Sequence, residues 1–376
     1  MIYLDNAATT FPKPACMGAE IFRCIREYCG NPGRSGHILS IKASEKIYEC
    51  RTAIANFFGS QKPENVVFTL NTTYALNMAI KTLYQPGMHI LISNMEHNSV
   101  LRPVAELKKR GEISYSVFET HGTAQDILLS IQNKKRHNTG MLIMTHASNI
   151  CGKTFPIREV GQYCQENGII FIVDAAQSAG VLDIRMHEWK IDALCAPAHK
   201  GLYGPQGLGF VIFNEKIPAR TWIEGGNGMH SLSTEMGAVF PESFEGGTLP
   251  TPLIAGLNAS VKWINGIGTQ AINAHEKALA ALLTERLRSI PNSRLYGPQT
   301  PDTGIVLYSN QKISVNALAS ALDARNFCTR SGFHCAPLAH NALNTEPDGA
   351  LRISFGFFNT KRDVDSLYSV IKSICK

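Results

Sequence analysis

Charge is scarce in this chain. Only 18% of its 376 residues are Asp, Glu, Lys or Arg, while 44% are hydrophobic. That balance excludes a disordered, highly solvated polymer and supplies enough apolar mass for one large core and a smaller one. No apolar run is long enough to span a bilayer, so no membrane partner is expected. The opening MIYLDNAATTFPKP lacks the basic and apolar regions of a secretory signal. The ten cysteines include no C-x-x-C pair and no zinc-like spacing, which argues against a disulfide framework and a metal site. A reduced, cytoplasmic protein is the simplest expectation. The basic excess is small as well. Net charge is +6, and the tight cluster NKKRH (Asn133 to His137) reads as a solvated loop, not a nucleic-acid surface. Internal repeats and low-complexity linkers are missing.

What is present is an alternation of short apolar runs with helical patterns. NVVFTL, HILISNM, GMLIMTHAS, GIIFIVDAAQ, IDALCAP and GLGFVIF read as strands. Their apolar runs are continuous and are separated by helices, which predicts a mainly parallel sheet covered on both faces, an α/β fold. After about Thr248 the pattern changes to two helices, then strands TGIVLYS and ALRISFGFF around a helix from Ser314 to Arg325. A final helix is capped near Thr360. The expected division is a large domain over 15–256 and a smaller α+β domain over 257–376 that includes the N-terminal segment 1–14.

Asp174 ends the most apolar strand, IIFIVD. In open α/β sheets that end is where ligands bind, and a buried carboxylate needs a partner there. A helix cap or a structural salt bridge is the plain alternative. Lys200 follows the next strand, in CAPAHKGLYGPQGLGF. A lysine in that place could form a Schiff base with an aldehyde cofactor, and an acid facing a pyridine nitrogen would complete a pyridoxal-phosphate site. The glycines would let backbone approach the ligand. A dinucleotide loop does not fit, because a strand and not a helix follows the glycines. Thr72 and Thr73 open a helix directly after a strand and could seat a phosphate, with His199 adding a contact; ordinary capping is the alternative. His97, just past another strand, could stack on a flat ring. Asn149 and Gln177 could bond a ring oxygen. Cys335 lies in TRSGFHCAP beside His334 and near Arg330, and cationic neighbours would favour its thiolate. Arg352, in the apolar stretch ALRISF, could grip a substrate carboxylate or form an internal salt bridge. NPGRSGHILS, with Arg34 and His37, could be an active-site loop or a turn.

Taken in order, YLDNAATT, GRSGHILS, NTTYALN, MEHNS, VDAAQS, AHKGLYGPQGLG, FEGGT, RSGFHCAP and LRISFGFFNT resemble the class V (fold type I) pyridoxal-phosphate enzymes. The resemblance is to the short-loop, SufS-like cysteine desulfurases, a group that includes selenocysteine lyases. It implies pyridoxal 5'-phosphate on Lys200, with Asp174 at the pyridine nitrogen, Gln177 at the ring hydroxyl and His97 stacked on the ring. It implies Thr72, Thr73 and His199 at the phosphate, joined by Thr248 from the partner of a homodimer. Asn149 and Arg352 would hold the substrate, with Arg34, His37 and Arg330 nearby. Cys335 would attack the sulfur of L-cysteine, L-selenocysteine could enter the same site with less need of the thiolate, and a protein acceptor would take the product. A C–S β-lyase, an epimerase and an aminotransferase remain alternatives with the same cofactor. Two positions depart from the family pattern. Pro197 stands where a phosphate-binding hydroxyl is usual, and Phe333 stands where better-known members are more polar.

Overall fold

The computed structural model describes residues 1–33, 36–228, 232–345 and 347–375. The chain enters on a short strand, β1 (Ile2–Tyr3), then forms helices α1 (Ala15–Glu27) and α2 (Ile38–Phe58). Next come β2 (Val66–Thr69), α3 (Thr72–Leu83), β3 (His89–Ser93), α4 (Asn98–Lys109), β4 (Ser114–Phe118), α5 (Ala124–Lys134) and β5 (Thr139–Thr145). After α6 (Ile157–Glu166) the strands β6 (Ile170–Asp174), β7 (Ala193–Pro197) and β8 (Gly209–Phe213) follow without helices between them.

Among the described residues, β2 to β8 form one seven-stranded sheet in the order β2-β8-β7-β6-β5-β3-β4. The pairs from β7 through β4 are parallel; β8 runs antiparallel to both β2 and β7. The mainly parallel sheet is therefore present, with one reversed strand near an edge. Strand β4 escapes the sequence reading because SYSVF is an edge strand, half-buried and without a continuous apolar run.

The sheet is buried on both faces because alternate side chains feed two cores. Leu142 and Met144 of β5 face the core under α2 and α6, while Met141 and Ile143 face the core under α3 and α4. Helix α4 shows the matching helical spacing, with Val100, Val104 and Leu107 buried on one stripe.

Helices α7 (Thr251–Ile267) and α8 (Thr269–Arg288) lead out of this layer. Ile254, Leu257, Val261 and Ile264 of α7 pack into the larger core, so this helix runs past residue 257 while still part of that layer. Beyond it lie β9 (Ser293–Tyr296), β10 (Ile305–Asn310), α9 (Val315–Asp323), β11 (Phe327–Cys328), β12 (Arg330–Gly332), α10 (Pro337–Ala342), β13 (Ala350–Ser354) and α11 (Lys361–Ile374). Strands β12-β13-β10-β9 form an antiparallel sheet covered by α8, α9 and α11. Thr360 caps α11 in a reciprocal capping box with Asp363. The N-terminal segment joins this layer: β1 pairs in parallel with β11, Leu4 is buried in its core, and Asp5 bridges Ser354. Among the described residues no helix is long and apolar enough to cross a membrane.

Candidate active site

The C-terminal ends of β3, β5, β6 and β7 converge with the start of α3 on a cavity of about 300 Å³. Thr72, Thr73, His97, Asn149, Asp174, Gln177, His199 and Lys200 all line it. These eight positions are far apart in sequence and meet because parallel strands deliver their following loops to one edge.

Asp174 is buried, and its Oδ1 accepts from the Ala176 backbone N–H at 2.9 Å. Burial raises its pKa, opposed by that hydrogen bond and by Lys200. Lys200 is held down to about 8, chiefly by burial, with Asp174 acting upward and Arg352 and Arg330 downward. A half-buried amine within the field of a carboxylate, with its pKa held well below the ordinary lysine value, is the arrangement a nucleophilic lysine needs.

The lysine loop is set by close backbone packing. A Cβ on Gly180 would meet the Gly201 carbonyl at 2.2 Å, and one on Gly201 would meet the Ala179 carbonyl at 2.5 Å. Gly180 and Gly201 therefore let two stretches of the protein's own backbone touch. The carbonyls of His199 and Lys200 accept from the Thr10 backbone N–H at 3.1 Å and the Thr10 hydroxyl at 3.0 Å, clamping the loop to the N-terminal segment.

At α3 the capping residue is Asn71, whose side chain accepts from the Tyr74 N–H at 3.1 Å. The two threonines are thus free of capping duty. Among the described residues the Thr72 hydroxyl and the His199 Nδ1 are buried without a hydrogen-bond partner. Such orphaned groups at a helix N-terminus are suited to an anion. Thr73 bonds Ser99 at 2.8 Å, and Ser99 bonds His97 Nδ1 at 2.9 Å. Ser99 is a member of this cluster that sequence reasoning passed over, although it lies inside the MEHNS stretch. His97 caps α4, accepting from the Ser99 N–H at 3.1 Å, and burial with Lys200 and Arg330 nearby lowers it to about 4. Its ring is neutral and fixed. His199 is lowered to about 4 as well, first by burial. Pro197 ends β7 opposite Gly209 and supplies no hydroxyl. Gln177 donates its amide to the Ala7 carbonyl at 2.9 Å.

Arg352 is buried. It donates to Asp5 Oδ1 at 2.7 Å and to the Asn149 carbonyl at 2.9 Å, while its Nε has no partner among the described residues. Arg330 sits directly opposite it across β12 and β13. Like charges facing each other on one sheet face repel, so this pair suits an anionic guest. Asp5, which nothing in the sequence marks, is the carboxylate that balances the pair.

Cys335 is exposed. It occupies a turn in which the Ala336 N–H donates to the Phe333 carbonyl at 3.0 Å, and both central residues, His334 and Cys335, have positive φ, 49° and 57°. Two non-glycine residues in that region cost about 1–3 kcal/mol each unless the surroundings hold them. The expectation that His334 supplies positive charge is overturned. Its ring is buried against His340 and the Arg330 carbonyl, and burial lowers it to about 3, leaving it neutral.

One expected position, His37, falls elsewhere. His37 caps α2 at the exposed surface, its side chain accepting from the Ser40 N–H at 3.2 Å. Thr248 is exposed and is not among the residues lining the cavity. Arg34 lies outside the described residues.

Residues 2–367 match the family described as aminotransferase class-V. The chain belongs to the class-V aminotransferase family. It is 31% identical over 382 residues to a probable cysteine desulfurase of Methanothermobacter thermautotrophicus, covering 99% of this chain and 94% of that one. It is 28% identical to a cysteine desulfurase of Cronobacter sakazakii, covering 98% and 91%. Among solved structures, the apo cysteine desulfurase of Thermococcus onnurineus superposes with a TM-score of 0.89 at 28% identity, covering 100% of this chain and 94% of that one. Members of this class-V family are generally pyridoxal-phosphate dependent.

Proposed function

We propose that the chain is a cysteine desulfurase that binds pyridoxal 5'-phosphate on Lys200 and converts L-cysteine to L-alanine, leaving the sulfur as a persulfide on Cys335. One observation carries this reading. Lys200 and Asp174 line one cavity, and the backbone of the exposed Cys335 is tied beside it, its carbonyl accepting at 2.8 Å from the N–H of Asn98, which lies between the lining residues His97 and Ser99. An aminotransferase or an epimerase needs the lysine and has no use for the thiol.

The residues fit the cofactor. The unpartnered Thr72 hydroxyl and His199 Nδ1, with Thr73, would hold the phosphate. Asp174 would pair with the pyridine nitrogen, neutral His97 would cover the ring, and Gln177 would contact the ring hydroxyl. When bound, the cofactor stores the electron pair released at the substrate α-carbon.

The chain's own groups do the rest. Arg352, with Arg330 beside it, would receive the substrate carboxylate, and Asn149 would help orient it. Lys200 Nζ would take the α-proton and return a proton to the product. The Cys335 thiolate would attack the substrate sulfur; the new S–S bond forms as the substrate C–S bond breaks. Selenocysteine would enter the same site.

A homodimer is part of the proposal. Ile38, Leu39 and Ile41 on α2 and Leu70 and Tyr74 near α3 are large exposed apolar side chains, and Thr248 would reach the partner's phosphate site. A protein acceptor for the sulfur and a cytoplasmic location complete it. The test is to supply L-cysteine with a reductant and to measure alanine, sulfide and pyruvate for wild type and Cys335→Ala. Alanine equal to sulfide, lost in the variant, supports the reading. Pyruvate, or turnover indifferent to Cys335, sinks it and points to a C–S lyase.

A further inference from the structure

Behind the cysteine turn lies a buried pair of imidazoles. His334 Nε2 is 3.1 Å from the Arg330 carbonyl, and its Nδ1 is 3.1 Å from His340 Nε2. His340 Nδ1 is 2.5 Å from the Thr345 hydroxyl. The two rings stack, 5.3 Å apart and 15° from parallel. Neither ring is in the cavity, and the mechanism above uses neither.

The proton positions follow from the partners. A carbonyl only accepts, so His334 Nε2 carries a hydrogen. Burial keeps both rings neutral, so His334 Nδ1 is an acceptor and His340 Nε2 must donate to it. His340 Nδ1 is then an acceptor, and it shares the single Thr345 hydroxyl proton with the His340 carbonyl, 3.1 Å from that hydroxyl. The result is a one-way chain from Thr345 through His340 and His334 to the Arg330 carbonyl. It locks the His334 side chain, while Asn149 Nδ2 donates to the His334 carbonyl at 2.9 Å and locks its backbone.

His334 and Cys335 need such a lock, because both stand where glycine or asparagine is the usual occupant. Left to local preference, the turn would relax and carry the thiol off the rim.

We infer that His340 is a positioning residue for Cys335: by donating to His334 it holds the Phe333–Ala336 turn in the left-handed form that presents the thiol to the cavity. The inference rests on the reading of Cys335 as the nucleophile. It assigns the loop's precision to a residue that touches neither substrate nor cofactor.

Three measurements on the loaded enzyme test it. Histidine ¹⁵N spectra should show a neutral His334 with hydrogen on Nε2 and a bare Nδ1; hydrogen on Nδ1 would overturn the chain. His340→Phe keeps an aromatic ring but removes the donor. It should lower kcat for alanine formation by about ten- to a hundredfold, as expected for a misplaced nucleophile, with KM and the absorption of the bound cofactor little changed. His340→Gln restores a donor and should recover part of the loss, which a merely structural defect would not. Turnover untouched in His340→Phe but abolished in Cys335→Ala removes the role of His340 alone. Turnover retained in Cys335→Ala overturns the underlying reading instead.

Discussion

The backbone N–H of Asn98 donates to the carbonyl of Cys335 at 2.8 Å. This bond ties the thiol turn of the smaller layer to the first turn of α4, the helix capped by His97. Cavity wall and thiol therefore share one anchor, and a change in the turn is felt beside the ring site.

Two replacements of Cys335 separate chemistry from backbone strain. Cys335→Ala and Cys335→Gly should both abolish persulfide formation. The glycine variant should be the more stable by about 1 kcal/mol, because φ of 57° penalises a Cβ. Urea midpoints of the two variants, compared directly, check this.

Lys200 should set the pH dependence of cofactor attachment. Only the neutral amine attacks an aldehyde, and the apo lysine titrates at about 8. The rate of pyridoxal-phosphate uptake by apo protein should rise with pH through about 8 and then level off. Stopped-flow absorbance reads it. A plateau reached only near the ordinary lysine pKa would contradict the buried setting.

Glu96, next to His97 in sequence, makes a stability prediction with a definite sign. It is fully buried and accepts from the Ser93 hydroxyl and, at 2.8 Å, from the Thr145 N–H, while its Oε2 has no partner among the described residues. Burial first, and then Asp174, raises it to about 8. Between its ordinary pKa and about 8 the folded state keeps a proton that the unfolded state has released. Stability from this group is full at low pH and falls as pH rises through that window, by about 1.4 kcal/mol per unit. Glu96→Gln removes this slope. From pH 5 to pH 8 the urea midpoint of the wild type should fall relative to that of the variant.

The turn that carries Thr248 should depend on a buried ion pair. Arg51 of α2 holds Glu245 with both Nη atoms, at 3.0 and 2.5 Å, and Glu245 also accepts from the Phe68 N–H at 2.6 Å. Glu245→Ala strands the guanidinium and should cost about 3–5 kcal/mol in urea unfolding. The double variant Arg51→Met, Glu245→Leu should recover most of that loss. If Thr248 reaches a partner's site, Glu245→Ala should also weaken cofactor retention, read as release on dialysis.

Much of the frame is visible before folding. Strands such as IIFIVD announce burial on both faces, and the edge of a parallel sheet is where loops deliver chemistry. Lys200 and Asp174 are legible for that reason: each ends or follows a continuous apolar strand, so local pattern and position agree. The capping of α11 at Thr360 is legible too, since a capping box is a matter of four consecutive residues.

What local pattern cannot carry is long-range closure. Nothing in YLDNAATT says that Asp5 will balance Arg352, or that the Asn149 amide will meet the His334 carbonyl. Nor does FHCAPLAH disclose that its two histidines stack out of the cavity as neutral rings, because the charge of an imidazole depends on burial and not on its neighbours in sequence. Of the glycines after Lys200, Gly201, Gly204 and Gly209 make room for backbone from other segments of the chain. The sequence by itself determined the sheet, the strand ends and the residue types available there. Tertiary structure alone decided which of those groups were left without partners, which charges survived burial and which backbone was held against its own preference. Those properties are set by desolvation and by packing between segments that the local pattern of the sequence does not join.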